Sequence, residues 1–292
     1  MGDFARSITF IAIYGVSYGM VLFLISVGLV LTMGLMRIVN LAHGAFAAIG
    51  GYLCVYLMTA WHLPLLLAAG AATALVAVFS LFVERAVYTR IYNASELNQV
   101  LLTVGLLFVT VAGLNFFFGP NILPSKLPPF LDADVQLLGR AVQVYRLLVI
   151  GLGALIVLLL WFVFDLTNFG ALLRAAVDNR SMAEAAGIDV DRIFSLAFAL
   201  GAGLAAFGGA MGYGMLPLEP LYPFKYLILI MIVVALSNFG DMKSAAVVAI
   251  AVGIVDTAGR YLFPALGAFF VYAFLIGYLS LRVRRGLLWG RA

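Results

Sequence analysis

From Ile38 to Val83 the chain runs forty-six residues without an Asp, Glu, Lys or Arg, bracketed by Arg37 and Glu84. A soluble core has no use for so long an uncharged run, whereas two membrane-crossing helices of ~20 residues each need that length. The run breaks once, at Trp61-His62-Leu63-Pro64, which predicts a transmembrane hairpin turning at Pro64. Charged positions mark further apolar segments near 10–34, 98–118, 146–164, 193–214, 225–239, 244–260 and 265–281, beside the hairpin arms at 42–60 and 65–83. The segment at 225–239 is short. Fifteen uncharged residues separate Lys225 from Asp241, which suits a half-helix or a short span sunk in protein. The expected fold is therefore all-α: one domain over 1–292, a polytopic integral membrane protein with about 8–9 transmembrane helices.

Orientation follows from the basic residues. The set Arg37, Arg85, Arg90, Arg174, Arg180, Arg192, Lys243, Arg282, Arg284, Arg285 and Arg291 falls on one side, against Arg6, Lys126, Arg140, Arg146, Lys225 and Arg260 on the other. Eleven against six places the first set in the cytoplasm, so nine crossings put the N-terminus outside and the C-terminus inside. The proline-rich stretch 119–144 then lies outside as an ordered loop. The apolar stretch after Arg6 outruns a signal-peptide core and reads as a retained first span.

Composition agrees. With 65% hydrophobic and 10% charged residues there is no room for a sizeable water-exposed domain, and the +4 charge belongs to loops rather than to nucleic acid. A single cysteine (Cys54) and two histidines (His43, His62) exclude a disulfide framework and a histidine-rich metal site. No GxxxxGK[ST], GxSxG or HExxH occurs, so any energy from ATP has to arrive from a partner. Asp256 lies four residues before Arg260, a spacing for a local ion pair rather than a proton relay. Gly15/Gly19, Gly208/Gly212 and the row Gly201-Ala205-Gly209 are small-residue ridges for close helix packing.

The loop 167–192 is the informative polar part. Ser181-Met182-Ala183-Glu184 has the form of a capping box and Gly187 that of a helix stop. They predict one to two helical turns capped by Ser181, carrying Glu184 and flanked by Arg174, Asp178, Arg180, Asp189 and Asp191, a mixed-charge surface suited to docking a soluble protein or to a solvated connector.

This loop resembles the cytoplasmic coupling segment of permeases of branched-chain amino acid ABC transporters. Arg174, Ala175, Asn179, Ala183, Gly187, Ile188 and Arg192 fill that family's pattern of R-A, an Asp or Asn, Ala, G-I and Arg. A second stretch resembles it more closely: Gly28-Leu29, Thr32, Gly34 and Arg37-Ile38-Val39-Asn40-Leu41-Ala42-His43-Gly44, followed by Gly51-Tyr52. Asn40 is placed to cap a helix beginning at Leu41. Glu84-Arg85, Thr103-Val104-Gly105-Leu106 and Arg285-Gly286-Leu287 extend the likeness, while Ser237-Asn238-Phe239-Gly240-Asp241 departs from the family's Gly-Gly-x-Gly turn. The resemblance implies a permease subunit with no cofactor of its own. It implies as partners a second homologous permease, two ATPase subunits holding ATP and magnesium, and an external solute-binding protein. Arg174, Asp178, Asn179, Arg180, Ser181, Glu184 and Gly187 would couple to the ATPases. Polar residues of the apolar elements, Asn40, His43, Asn98, Gln99, Thr103, Asn115, Tyr213 and Asn238, are the candidates to line the path, since polar side chains in a membrane face a bundle interior or a water-filled cavity. Branched-chain amino acids are the first solute class, with urea, short amides or small carboxylates as alternatives. An ion-coupled secondary transporter working through Asp256 or Glu219 is the rival class.

Overall fold

The computed structural model describes residues 2–36, 40–91, 94–125, 127–137, 140–238 and 241–284. Arg37, Ile38, Val39, Lys126, Phe239, Gly240, Arg285, Gly286, Leu287 and Arg291 lie outside the described residues. Helices α1 (Gly2–Met36), α2 (His43–Ala60) and α3 (Leu65–Ala86) open the chain. The hairpin turn between α2 and α3 falls at Trp61–Pro64, where His62 takes φ +52° and the Trp61 and Leu63 amides both donate to the Leu57 carbonyl. A 3-10 turn at Tyr88–Arg90 leads to α4 (Glu96–Phe118). After α6 (Val144–Leu166) come the short α7 (Asn168–Asp178) and α8 (Arg180–Ala185), then α9 (Val190–Gly212), α10 (Tyr222–Leu236), α11 (Met242–Leu262) and α12 (Gly267–Arg284).

Among the described residues, seven helices are long and apolar enough to cross a membrane, and α10 and α12 are shorter apolar helices. With fifteen residues, α10 rises only ~22 Å at 1.5 Å per residue. It nevertheless joins both ends of α11: Tyr226 sits in one cleft with Asp256 and Arg260, and Leu236 in another with Lys243 and Ser244. Its burial beneath other helices makes it a short element sunk in protein.

The described part of the stretch 119–144 carries more regular structure than the expected ordered loop. It holds a turn of helix, α5 (Pro129–Asp132), and an antiparallel hairpin of β1 (Asp134–Leu137) and β2 (Arg140–Gln143), with Val135 opposite Val142. Val135, Leu137 and Val142 share one face of the ribbon by period-2 spacing, with Val142 fully buried and Val135 exposed.

Glycine contacts fix the centre. Spans α1 and α9 bury 83% and 72% of their apolar windows, against 17% for α4, so α1 and α9 form the axis and α4 the periphery. A Cβ on Gly28 would overlap the Gly201 backbone, and one on Gly209 would overlap the Ala47 carbonyl. The row Gly201-Ala205-Gly209 thus serves two neighbours, Gly201 facing α1 and Gly209 facing α2, because a 3.6-residue repeat rotates an i, i+4 row around the helix. Gly15, Gly19 and Gly253 make a second backbone seam between α1 and α11.

Candidate functional site

At one end of the bundle α6 stops at Leu166 and the chain folds back as α7, a reversal in which Gly170 presses on the Phe164 carbonyl and leaves no room for a Cβ. Arg174 donates from Nη1 to the same carbonyl, holding α7 against the end of α6. Asp178 and Arg174 line a cavity of about 350 Å³ with Asp165, Asp241 and Lys243, in which Lys243 pairs with Asp165 at 2.9 Å.

The cap of α8 differs from the expected one. Asn179 is the N-cap, its Oδ1 accepting from the Met182 amide at 3.0 Å, and Ser181 lies inside the helix, exposed. Asn179 wins because its extended backbone (φ −154°, ψ 96°) ends α7 and starts α8 at one residue, which moves the helix start two positions before the Ser181-to-Glu184 box. The expected stop is found. Gly187 takes φ +83°, its amide donates to the Glu184 carbonyl at 3.0 Å, and the Ile188 amide donates to Ala183 at 3.0 Å, the paired bonds of a Schellman turn.

Arg180 fixes α8 against α9. Its Nε meets Glu184 Oε1 at 2.9 Å, its Nη2 meets Asp191 Oδ1 at 2.7 Å, and its guanidinium lies 5.8 Å from the Phe194 ring centre. The Glu184 hydrogen bond, reinforced by the Asp191 charge, raises the Arg180 pKa above its ordinary value. Arg180 and Glu184 are about half exposed and Asp191 more so, so the network orients the helix more than it stabilises the fold. Met182, 71% exposed, projects from it beside Ser181 and Glu184. An unbranched thioether on a rigid, exposed turn is a suitable knob for a partner's groove. Nothing in the residue pattern singled it out, because an isolated Met in a short polar helix has no periodicity.

The eight polar path candidates are not gathered into one lining. Asn40 does not cap α2, which begins at His43 after Ala42; its Oδ1 instead accepts from the buried Tyr88 hydroxyl at 2.8 Å. The helix starts later because residues 40–42 take up a turn, with the His43 amide donating to the Asn40 carbonyl at 3.4 Å. Asn40 and His43 are buried, and Asn40 Nδ2 and His43 Nε2 meet no protein partner. Gln99 reaches the Ile91 and Ala94 carbonyls, Thr103 bonds the Gln99 carbonyl at 2.9 Å and Asn115 that of Val111 at 3.0 Å, so each is tied to backbone nearby in sequence. Tyr213 is buried, Asn98 is exposed, and Asn238 is exposed with its Oδ1 accepting from Arg282 at 2.9 Å.

At the opposite end, Tyr14, Tyr18, Arg146, Lys225, Tyr226, Asp256, Arg260 and Tyr261 line a cleft of about 630 Å³. Asp256 pairs with Arg260 at 2.8 Å, as their spacing predicts, and Glu219 pairs with Lys225 at 2.6 Å.

A family model described as branched-chain amino acid transport system / permease component matches residues 11–279. The chain belongs to this permease family. The permease is 23% identical to the high-affinity branched-chain amino acid transport system permease protein BraD of Pseudomonas aeruginosa, covering 85% of each chain. It is 24% identical to LivH of Escherichia coli over 83% of this chain and 82% of that one. To the probable branched-chain amino acid permease LivH of Methanocaldococcus jannaschii it is 27% identical, over 77% and 72%. No solved structure matches it. With seven helices among the described residues long and apolar enough to span, and this membership, it is a multi-pass membrane protein.

Proposed function

We propose that this permease is one transmembrane subunit of an ATP-driven importer and supplies half of a translocation path for branched-chain or related amino acids. A second homologous permease forms the other half, two ATPase subunits bind ATP and magnesium, and an external binding protein delivers the solute. Nine crossings, with α10 sunk among its neighbours, put the N-terminus outside and the α7–α8 end in the cytoplasm. The observation that carries this reading is α8: a six-residue helix capped at both ends, braced by Arg180 and presenting Met182 outward. A solvated connector needs neither cap nor brace. An ion-coupled carrier would need an ionisable group free to load and release, whereas Asp256 and Glu219 are each held in an ion pair.

The test is uptake into proteoliposomes holding the permease with its genomic-neighbour ATPase, permease and binding-protein subunits. Leucine uptake should require ATP and be competed by isoleucine and valine, and not by urea or leucinamide. Urea competing where leucine does not would assign the solute to the small-amide class.

A further inference from the structure

The cleft opposite α8 carries an unbalanced charge. Its lining comes from α1, the start of α6, the turn at Met215-Leu216-Pro217, the start of α10 and the end of α11. Of its three cations, Lys225 is matched by Glu219 and Arg260 by Asp256. Among the described residues, Arg146 has no carboxylate partner. Its guanidinium lies 3.8 Å from the Tyr14 ring centre, and its Nη1 contacts Ser17 Oγ at 3.2 Å and Met215 Sδ at 3.4 Å. Its Nε is buried and meets no protein acceptor. A guanidinium beside an apolar bundle is costly to leave without an anion, and its planar donor set matches a carboxylate.

We infer that this cleft is a solute-binding vestibule in which Arg146 receives the carboxylate of the transported molecule; the inference rests on the amino-acid reading above and adds the site to it. The remaining lining suits the rest of such a solute. The rings of Tyr18 and Tyr226 offer a place for an ammonium group, and Leu216 and Leu229 offer apolar surface to a branched side chain. Tyr14 stacks on Phe10 with ring centres 4.0 Å apart, which keeps the ring under Arg146 in place and the guanidinium oriented.

The experiment uses the complete transporter in two measurements. The first maps phenylglyoxal modification of Arg146 by mass spectrometry with excess leucine, 4-methylpentanoate or leucinamide. Leucine and 4-methylpentanoate should protect it and leucinamide should not. Protection by 4-methylpentanoate without protection by leucine would keep the carboxylate site and overturn the amino-acid reading. No protection by either carboxylate, or no reaction at Arg146, would overturn the site while leaving that reading intact. The second measurement compares Arg146→Gln and Arg146→Lys. The glutamine variant should raise the KM for uptake on the order of tenfold or more at unaltered abundance of the assembled complex, and lysine should recover part of the loss. Uptake by Arg146→Gln at the unaltered KM would overturn the proposal, and should that variant fail to assemble, the protection pattern decides.

Discussion

Gly209→Val is expected to abolish recovery of folded permease. A Cβ at this position would overlap the Ala47 carbonyl of α2, and the clash is with backbone, so no rotamer change relieves it. Ordinary overpacking of a core costs about 1–3 kcal/mol, and forcing two buried helices apart costs more, because α2 and α9 would lose contact along their length. Monodisperse protein in detergent should fall about tenfold or more, an effect of a size that ordinary destabilisation produces in cells. Gly70→Ala is the control, because nothing lies within 4 Å of a Cβ there and alanine is the better helix former. Comparable yields of the two variants would mean that the α2–α9 seam is not as close as described.

Gly187→Val should uncouple the transporter while leaving it in the membrane. The residue sits at φ +83°, where a β-branched side chain is strained, and both bonds of the turn that closes α8 depend on that conformation. No spanning helix depends on it. Binding-protein-stimulated ATP turnover and leucine uptake should both drop severely at unaltered membrane abundance. Gly187→Asn should retain most activity, since asparagine tolerates the left-handed region. The start of α8 behaves differently: Asn179→Ala should cost about 1 kcal/mol of local helix stability and Ser181→Ala almost none. Normal coupling in Gly187→Val would reduce the segment to a connector.

The contrast between Asn179 and Ser181 shows what the residue order left open. A capping box reads the helix start from four residues, but here the start was set by how α7 ends, a property of the preceding helix. Spans, the Pro64 turn and the Gly187 stop were legible because each depends on hydrophobic length or on a residue with restricted backbone freedom. The path candidates were less so. Polarity within an apolar segment does not distinguish a side chain facing a cavity from one that bonds its own helix, as Thr103 and Asn115 do. In the residue order Arg146 is only one more charge on the outer side. Its isolation becomes visible once α10 and α11 bring Lys225 and Arg260 to the same cleft, each with its own acid.

The reading of α8 as the ATPase contact is tested most directly by a cysteine at Met182. Replacing the buried Cys54 with alanine removes the native thiol, and Met182→Cys then places one sulfur at an exposed position of α8. In the assembled transporter, a short bismaleimide should join this position to the ATPase subunit, and ATP should alter the yield as the ATPases close. An intact, active complex that forms no such cross-link from Met182→Cys, nor from Glu184→Cys, would contradict the account.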